Sequence, residues 1–176
     1  MTAKLLVLLA GAGSFGLSAP VRAQEAPPLS FLGFSAGGLR SALEDTARLA
    51  GRGTLTCRRA TTDGRLAECR GGLPELDSGR SVDLWVSLID GRAAVLTLSA
   101  RLAPARFERW RALLEGRYGS MAPRRQGPML LLQWVRGGQM LRLAWRARGR
   151  DVEASVSLVD GPLLDAWANV GRRPER

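Results

Sequence analysis

A chain of 176 residues with a net charge of +10, no histidine and two cysteines is long enough to bury its own core, as one domain or two small fused units, with no obligatory metal or disulfide. The missing imidazole excludes Ser-His-Asp and Cys-His catalysis, and two thiols cannot supply the usual zinc or haem ligand sets, so no cofactor and no catalytic residue is expected. Lys4 is the only lysine; arginine carries the rest of the positive charge, which favours solubility and is as well explained by GC-rich coding as by a ligand.

Residues 1–23 read as a cleaved export signal: Lys4 gives the positive start, Leu5 to Leu17 the apolar run, and Val21-Arg22-Ala23 a small-residue cleavage site. The run is short for a membrane span and is broken by Gly11, Gly13 and Gly16, so no transmembrane segment is expected after cleavage. That address is periplasmic or extracellular, where nucleic acid is not the expected partner. Residues 24–30, with Pro27-Pro28, read as a flexible leader.

Residues 31–102 read as a first unit of one helix and four strands. Ser35 is placed as the N-cap of a helix, regular from about Leu39, with Leu39, Ala42, Leu43, Ala47 and Ala50 on one face and Gly51 and Gly53 as its stop. Strands over 54–60 and 65–70 flank Thr62-Asp63-Gly64, with Gly64 in a left-handed position. That register sets Cys57 opposite Cys69 and Arg58 opposite Glu68. In an oxidising compartment the two thiols are expected to pair as a structural disulfide; a redox role would want CxxC spacing.

Gly71, Gly72, Pro74 and Gly79 then read as a linker to a second hairpin, Val82 to Leu88 and Arg92 to Ala100, turning at Ile89-Asp90-Gly91. Val82, Leu84 and Val86 share a core face with Ala94, Leu96 and Leu98. Asp83, Trp85, Ser87, Val95 and Thr97 point the other way, and Trp85 is the odd residue among them.

Residues 103–171 read as a second unit of one helix and three strands, closed by a C-terminal helix. Pro104 starts the first helix, which runs to about Tyr118 with Phe107, Trp110, Leu113 and Leu114 inward and its arginines in solvent. Residues 129–159 form three strands joined by Gly137-Gly138 and Gly149-Arg150. Two-residue turns there pair Trp134 with Leu141, Leu132 with Leu143 and Leu130 with Trp145, then Trp145 with Ala154, Leu143 with Val156 and Leu141 with Leu158. On the opposite face Arg146 meets Glu153 and Arg142 meets Ser157, the alternation of a sheet with one buried side. The last helix, after Pro162, has Leu163, Leu164, Trp167 and Val170 inward, and 172–176 is a basic tail.

Val82 to Gly91 recurs as Val152 to Gly161, sharing Val, Val-Ser-Leu and Asp-Gly at matching positions, and each copy follows a helix ending Leu-x-Gly-Arg, at Leu49 to Arg52 and Leu114 to Arg117. With Leu32-Gly33-Phe34-Ser35 opening the first helix, this arrangement resembles the tandem units of the β-lactamase-inhibitor-like fold and of the small outer-membrane assembly lipoproteins that share it. The chain departs from that pattern in having no cysteine after the signal, and Gly38 where a capping acid would help. The resemblance implies a curved antiparallel sheet, helices on one side, a bare side able to grip another protein, and no enzyme activity.

The expected fold is therefore α+β, an antiparallel sheet with helices packed on one face, in two repeated helix-plus-strands units. A carboxylate pair for glycoside hydrolysis, Glu75 with Asp77 or Asp83 with Asp90, is disfavoured by a chain with a single tyrosine to stack a sugar. The expected function is a non-catalytic module that binds a protein of the cell envelope through the open sheet face, at Trp85, Val95, Gln133, Arg142 and Arg146. The alternative is attachment to anionic lipid or cell-wall polymer through Arg124, Arg125, Arg148, Arg150 and the tail.

Overall fold

The computed structural model describes residues 28–50, 53–74 and 81–170; the expected signal, the Glu75–Asp77 pair, Gly79 and the basic tail lie outside them. Ten strands and three helices follow in the order β1 (Ser30–Phe31), β2 (Phe34–Ser35), α1 (Arg40–Leu49), β3 (Thr56–Arg59), β4 (Leu66–Pro74), β5 (Ser81–Ile89), β6 (Arg92–Leu102), α2 (Pro104–Tyr118), β7 (Arg124–Gln126), β8 (Met129–Arg136), β9 (Gln139–Arg148), β10 (Asp151–Asp160) and α3 (Gly161–Val170). The fold is α+β. Strands β3 to β10 make one antiparallel sheet in the order β3-β4-β5-β6-β10-β9-β8-β7.

Alternation along the strands builds the core. Val82, Leu84, Val86, Leu96, Leu98, Leu132, Leu141, Leu143, Val156 and Leu158 are all buried on one side of the sheet, and every registration read from residues 129–159 holds, from Trp134 opposite Leu141 to Leu141 opposite Leu158. Gly137 and Gly138 both take positive φ, 54° and 77°, the twist a two-residue hairpin turn needs. On the core side α2 lays down Phe107, Trp110, Leu114 and Tyr118. Trp110 meets Phe31 edge-on at 4.9 Å, and Phe107 meets Trp145 at 5.2 Å between ring centroids. Leu113, expected inward, is exposed, because the covered stripe advances by three and then four residues and leaves it on the flank.

Several expectations are corrected. Leu29 and Ser30 belong to the folded body rather than to a leader: Leu29 is buried, and the Tyr118 hydroxyl donates to the Ser30 carbonyl and accepts from its N–H, both at 2.7 Å. Ser35 caps no helix; it pairs with Ser30 in the β1-β2 ribbon. Helix α1 begins at Arg40 without a side-chain cap, and the Arg40 N–H is satisfied by the Gly91 carbonyl of the neighbouring hairpin instead.

Gly64 is not left-handed. Asp63 bends that loop by accepting the Arg65 N–H at 2.9 Å, an Asx turn that needs no positive φ. Two of the glycines taken for a linker are strand: Gly71 pairs with Leu84 and Gly72 with Asp83. A Cβ on Gly71 would stand 2.5 Å from the Thr54 carbonyl oxygen, so glycine there serves close backbone approach.

The second unit gains a fourth strand, the three-residue β7. Each unit is then one helix followed by a four-strand meander, and β6 meets β10 at the centre. Topology thus matches β5 with β9 and β6 with β10, whereas the recurring Val82 to Gly91 and Val152 to Gly161 segments fall on β5 and β10, which hold unlike positions. Helix α3 adds nothing to the core cluster. It starts on Asp160, whose carboxylate accepts the Leu163 N–H at 2.9 Å, touches β9, β6 and β5, and reaches the β3-β4 turn, where the Trp167 indole donates to Asp63 at 2.9 Å. Of the residues expected inward on it, Leu163, Leu164 and Trp167 are half-buried and Val170 is exposed.

Candidate functional site

The face opposite the core is organised in rows that cross the whole sheet, because directly opposed residues on neighbouring strands share a side. The central row runs Thr56, Arg70, Trp85, Thr97, Ser157, Arg142, Gln133 from β3 to β8. Its midpoint is the β6-β10 seam, where the Thr97 and Ser157 hydroxyls stand 3.0 Å apart. Trp85 and Arg142 flank that pair at matching positions in the two units.

Toward α3 the next row is Ser87, Val95, Val159, Met140 and Val135. At this end Ile89, which alternation turns away from the core, is nonetheless buried. Away from α3 the next row is Gly72, Asp83, Ser99, Ser155, Ala144 and Leu131, with small side chains across its middle, and beyond it come Arg101, Glu153 and Arg146.

All five residues singled out in the sequence lie on this face. Arg142 donates to Gln133 Oε1 through Nε at 3.2 Å and Nη2 at 2.8 Å, so those two act together, and Trp85 shares their row across the seam. Val95 sits in the row nearer α3. Arg146 lies two rows away from Arg142, in an open cleft of about 610 Å³ lined by Ser81, Asp83, Ser99, Arg101, Arg148 and Glu153. Trp85, Val95, Gln133, Arg142 and Arg146 are all half-buried.

The cleft is where the electrostatics concentrate. Arg146 reaches Glu153 Oε2 through Nε at 2.9 Å and Nη2 at 2.7 Å. The hydrogen bond from Arg146, with the charges of Arg146, Arg148 and Arg101, holds the Glu153 carboxyl below the usual carboxylate range. Sequence reasoning missed Arg101, Ser99 and Ser81. The signal was available: Arg101 falls opposite Glu153 once β6 is set beside β10, but nothing in the letters makes those two strands neighbours.

Of the basic residues considered for surface attachment, Arg124 and Arg125 sit exposed on the edge strand β7, while Arg148 and Arg150 are exposed around the β9-β10 turn. Among the described residues no group of three or more Cys, Asp or Glu is placed to hold a metal, and no helix is long and apolar enough to cross a membrane. No family model matches the chain, and no curated protein or solved structure matches it.

Proposed function

We propose that this is an exported, non-catalytic binding module that grips a protein of the cell envelope with the face of the sheet opposite its core. The observation that carries the reading is the central row: an aromatic and a guanidinium, Trp85 and Arg142, stand half-exposed on either side of the Thr97–Ser157 hydroxyl pair at the seam. Aromatic and arginine side chains of that kind are what interface centres are made from. Export is proposed from residues 1–23 and fits the Cys57–Cys69 disulfide, a bond that persists in oxidising compartments. The same reading takes in the resemblance to the tandem β-lactamase-inhibitor-like fold.

The test is affinity capture from an envelope extract with the wild-type chain, Trp85→Ala and Arg142→Ala. Salt-tolerant capture by the wild type, lost in both variants at unchanged melting temperature, supports the reading; undiminished capture by both overturns it. Attachment to anionic lipid or cell-wall polymer is the second reading. It rests on exposed arginines spread over two separate elements, and it predicts retention on anionic vesicles that moderate ionic strength abolishes.

A further inference from the structure

We propose that the cleft edged by Arg101, Arg146 and Arg148 is a carboxylate site that takes an acidic, extended segment of a partner protein, with Glu153 as an internal competitor for the same guanidiniums. This rests on the sheet face being the binding surface and names the chemistry it selects.

Arg101, Glu153 and Arg146 are directly opposed on three adjacent strands, about 5 Å apart as such neighbours are, and Arg148 lies two residues along on the same side. A carboxylate thus already lies within the field of three guanidiniums, with Nε and Nη2 of Arg146 both on its Oε2 oxygen. The pair is partly exposed, Arg146 at 37% and Glu153 at 47% of their side-chain surfaces. Exposed pairs contribute little net stability, so an incoming carboxylate can replace Glu153 at small cost. Beside the arginines, Ser99, Ser155 and Ala144 form a floor low enough for an extended chain to lie flat.

The opposite wall decides the class of ligand. Asp83 and Ser81, both on β5, line it, offering a carboxylate and a hydroxyl where a second anion would be repelled. A peptide with spaced acidic side chains satisfies both walls, its carboxylates meeting the arginines and its backbone N–H groups meeting Asp83 and Ser81. A phosphate polymer brings acceptors only and meets Asp83 unfavourably.

The experiment is fluorescence anisotropy of a short labelled peptide alternating glutamate with serine, titrated with the full chain. Wild type binds it, and rising salt weakens the binding. Glu153→Gln tightens it about fivefold, the upper worth of an exposed pair, and Arg146→Gln weakens it. Glu108→Gln on α2 removes the same charge from an exposed residue on another element and leaves binding unchanged.

Equal tightening by Glu108→Gln, no tightening by Glu153→Gln, or stronger binding of anionic vesicles than of the peptide overturns the proposal. Should envelope capture depend on Trp85 while no form of the chain binds the peptide, the sheet-face reading stands and the carboxylate site falls.

Discussion

Cys57 and Cys69 are directly opposed on β3 and β4, joined by a disulfide and separated by 12 residues in sequence, and their removal gives the most quantitative test of the fold. A cross-link closing a loop of that length lowers the entropy of the unfolded chain by an amount worth about 3 kcal/mol at room temperature. The rest of the effect depends on how the thiols are replaced. Cys69 is buried against the core while Cys57 is half-buried at its rim, so serine at 69 would add the cost of a buried hydroxyl, and Cys57→Ala with Cys69→Ala is the cleaner pair.

The double variant should lose about 3 kcal/mol, which for a chain of this size lowers the melting temperature by roughly 6–12 °C. Urea unfolding reads this directly as a lower midpoint, with an m-value that rises as the denatured chain, no longer cross-linked, exposes more surface. Because β3 is an edge strand held only by β4, amide exchange should accelerate first at 56–59. An identical midpoint for the oxidised chain, the reduced chain and the double variant would refute the reasoning, since it would mean the bond constrains nothing in the unfolded state.

Tyr118→Phe removes the hydroxyl that satisfies both backbone groups of Ser30 and should cost about 1–3 kcal/mol, with exchange rising at Ser30 and Phe31. Leu141→Ala, at a fully buried position near the start of β9, should cost about 2–5 kcal/mol by urea unfolding. Acid should also weaken the chain slightly, by a defined route. Glu153, held low by Arg146, Asp90, held low by Arg65, and Asp63, held low by the Trp167 indole and the Arg65 N–H, all bind fewer protons folded than unfolded. Their contribution is therefore present above about pH 4, the unfolded carboxylate range, and is lost as pH falls through their lowered values. Asp63→Asn should flatten that acid limb, and Trp167 emission should shift as the limb is crossed; an unchanged limb would remove Asp63 from the account.

The two units differed in how far their strands could be read. Residues 129–159 were legible to the residue because two-residue glycine turns leave one register that keeps every leucine on one side. The β3-β4 pairing was legible for a different reason, since cysteines and opposite charges marked it twice. Gly71 misled because glycine in a turn and glycine under a crossing backbone look alike in sequence, and only the approach of Thr54 tells them apart; Gly72, with open space around it, is strand through its pairing with Asp83. Ser35 misled because the first donor of α1, the Arg40 N–H, is satisfied by a distant hairpin, a partner no local pattern contains.

Of the candidate site, alternation alone sufficed to put Trp85, Val95, Gln133, Arg142 and Arg146 on one side of their strands. The letters also dictated the α+β class, the cysteine pairing and the absence of imidazole chemistry, because side-chain period, thiol placement and composition are local properties. Which strands became neighbours was decided only by tertiary structure. Joining β6 to β10 set Thr97 against Ser157 and Arg101 against Glu153, turning residues far apart in the chain into one floor and one guanidinium cluster. The placement of α3, outside the core cluster and over one end of the sheet, was likewise a matter of packing: sequence period gives the helix an apolar stripe but does not say which part of the sheet it lies against.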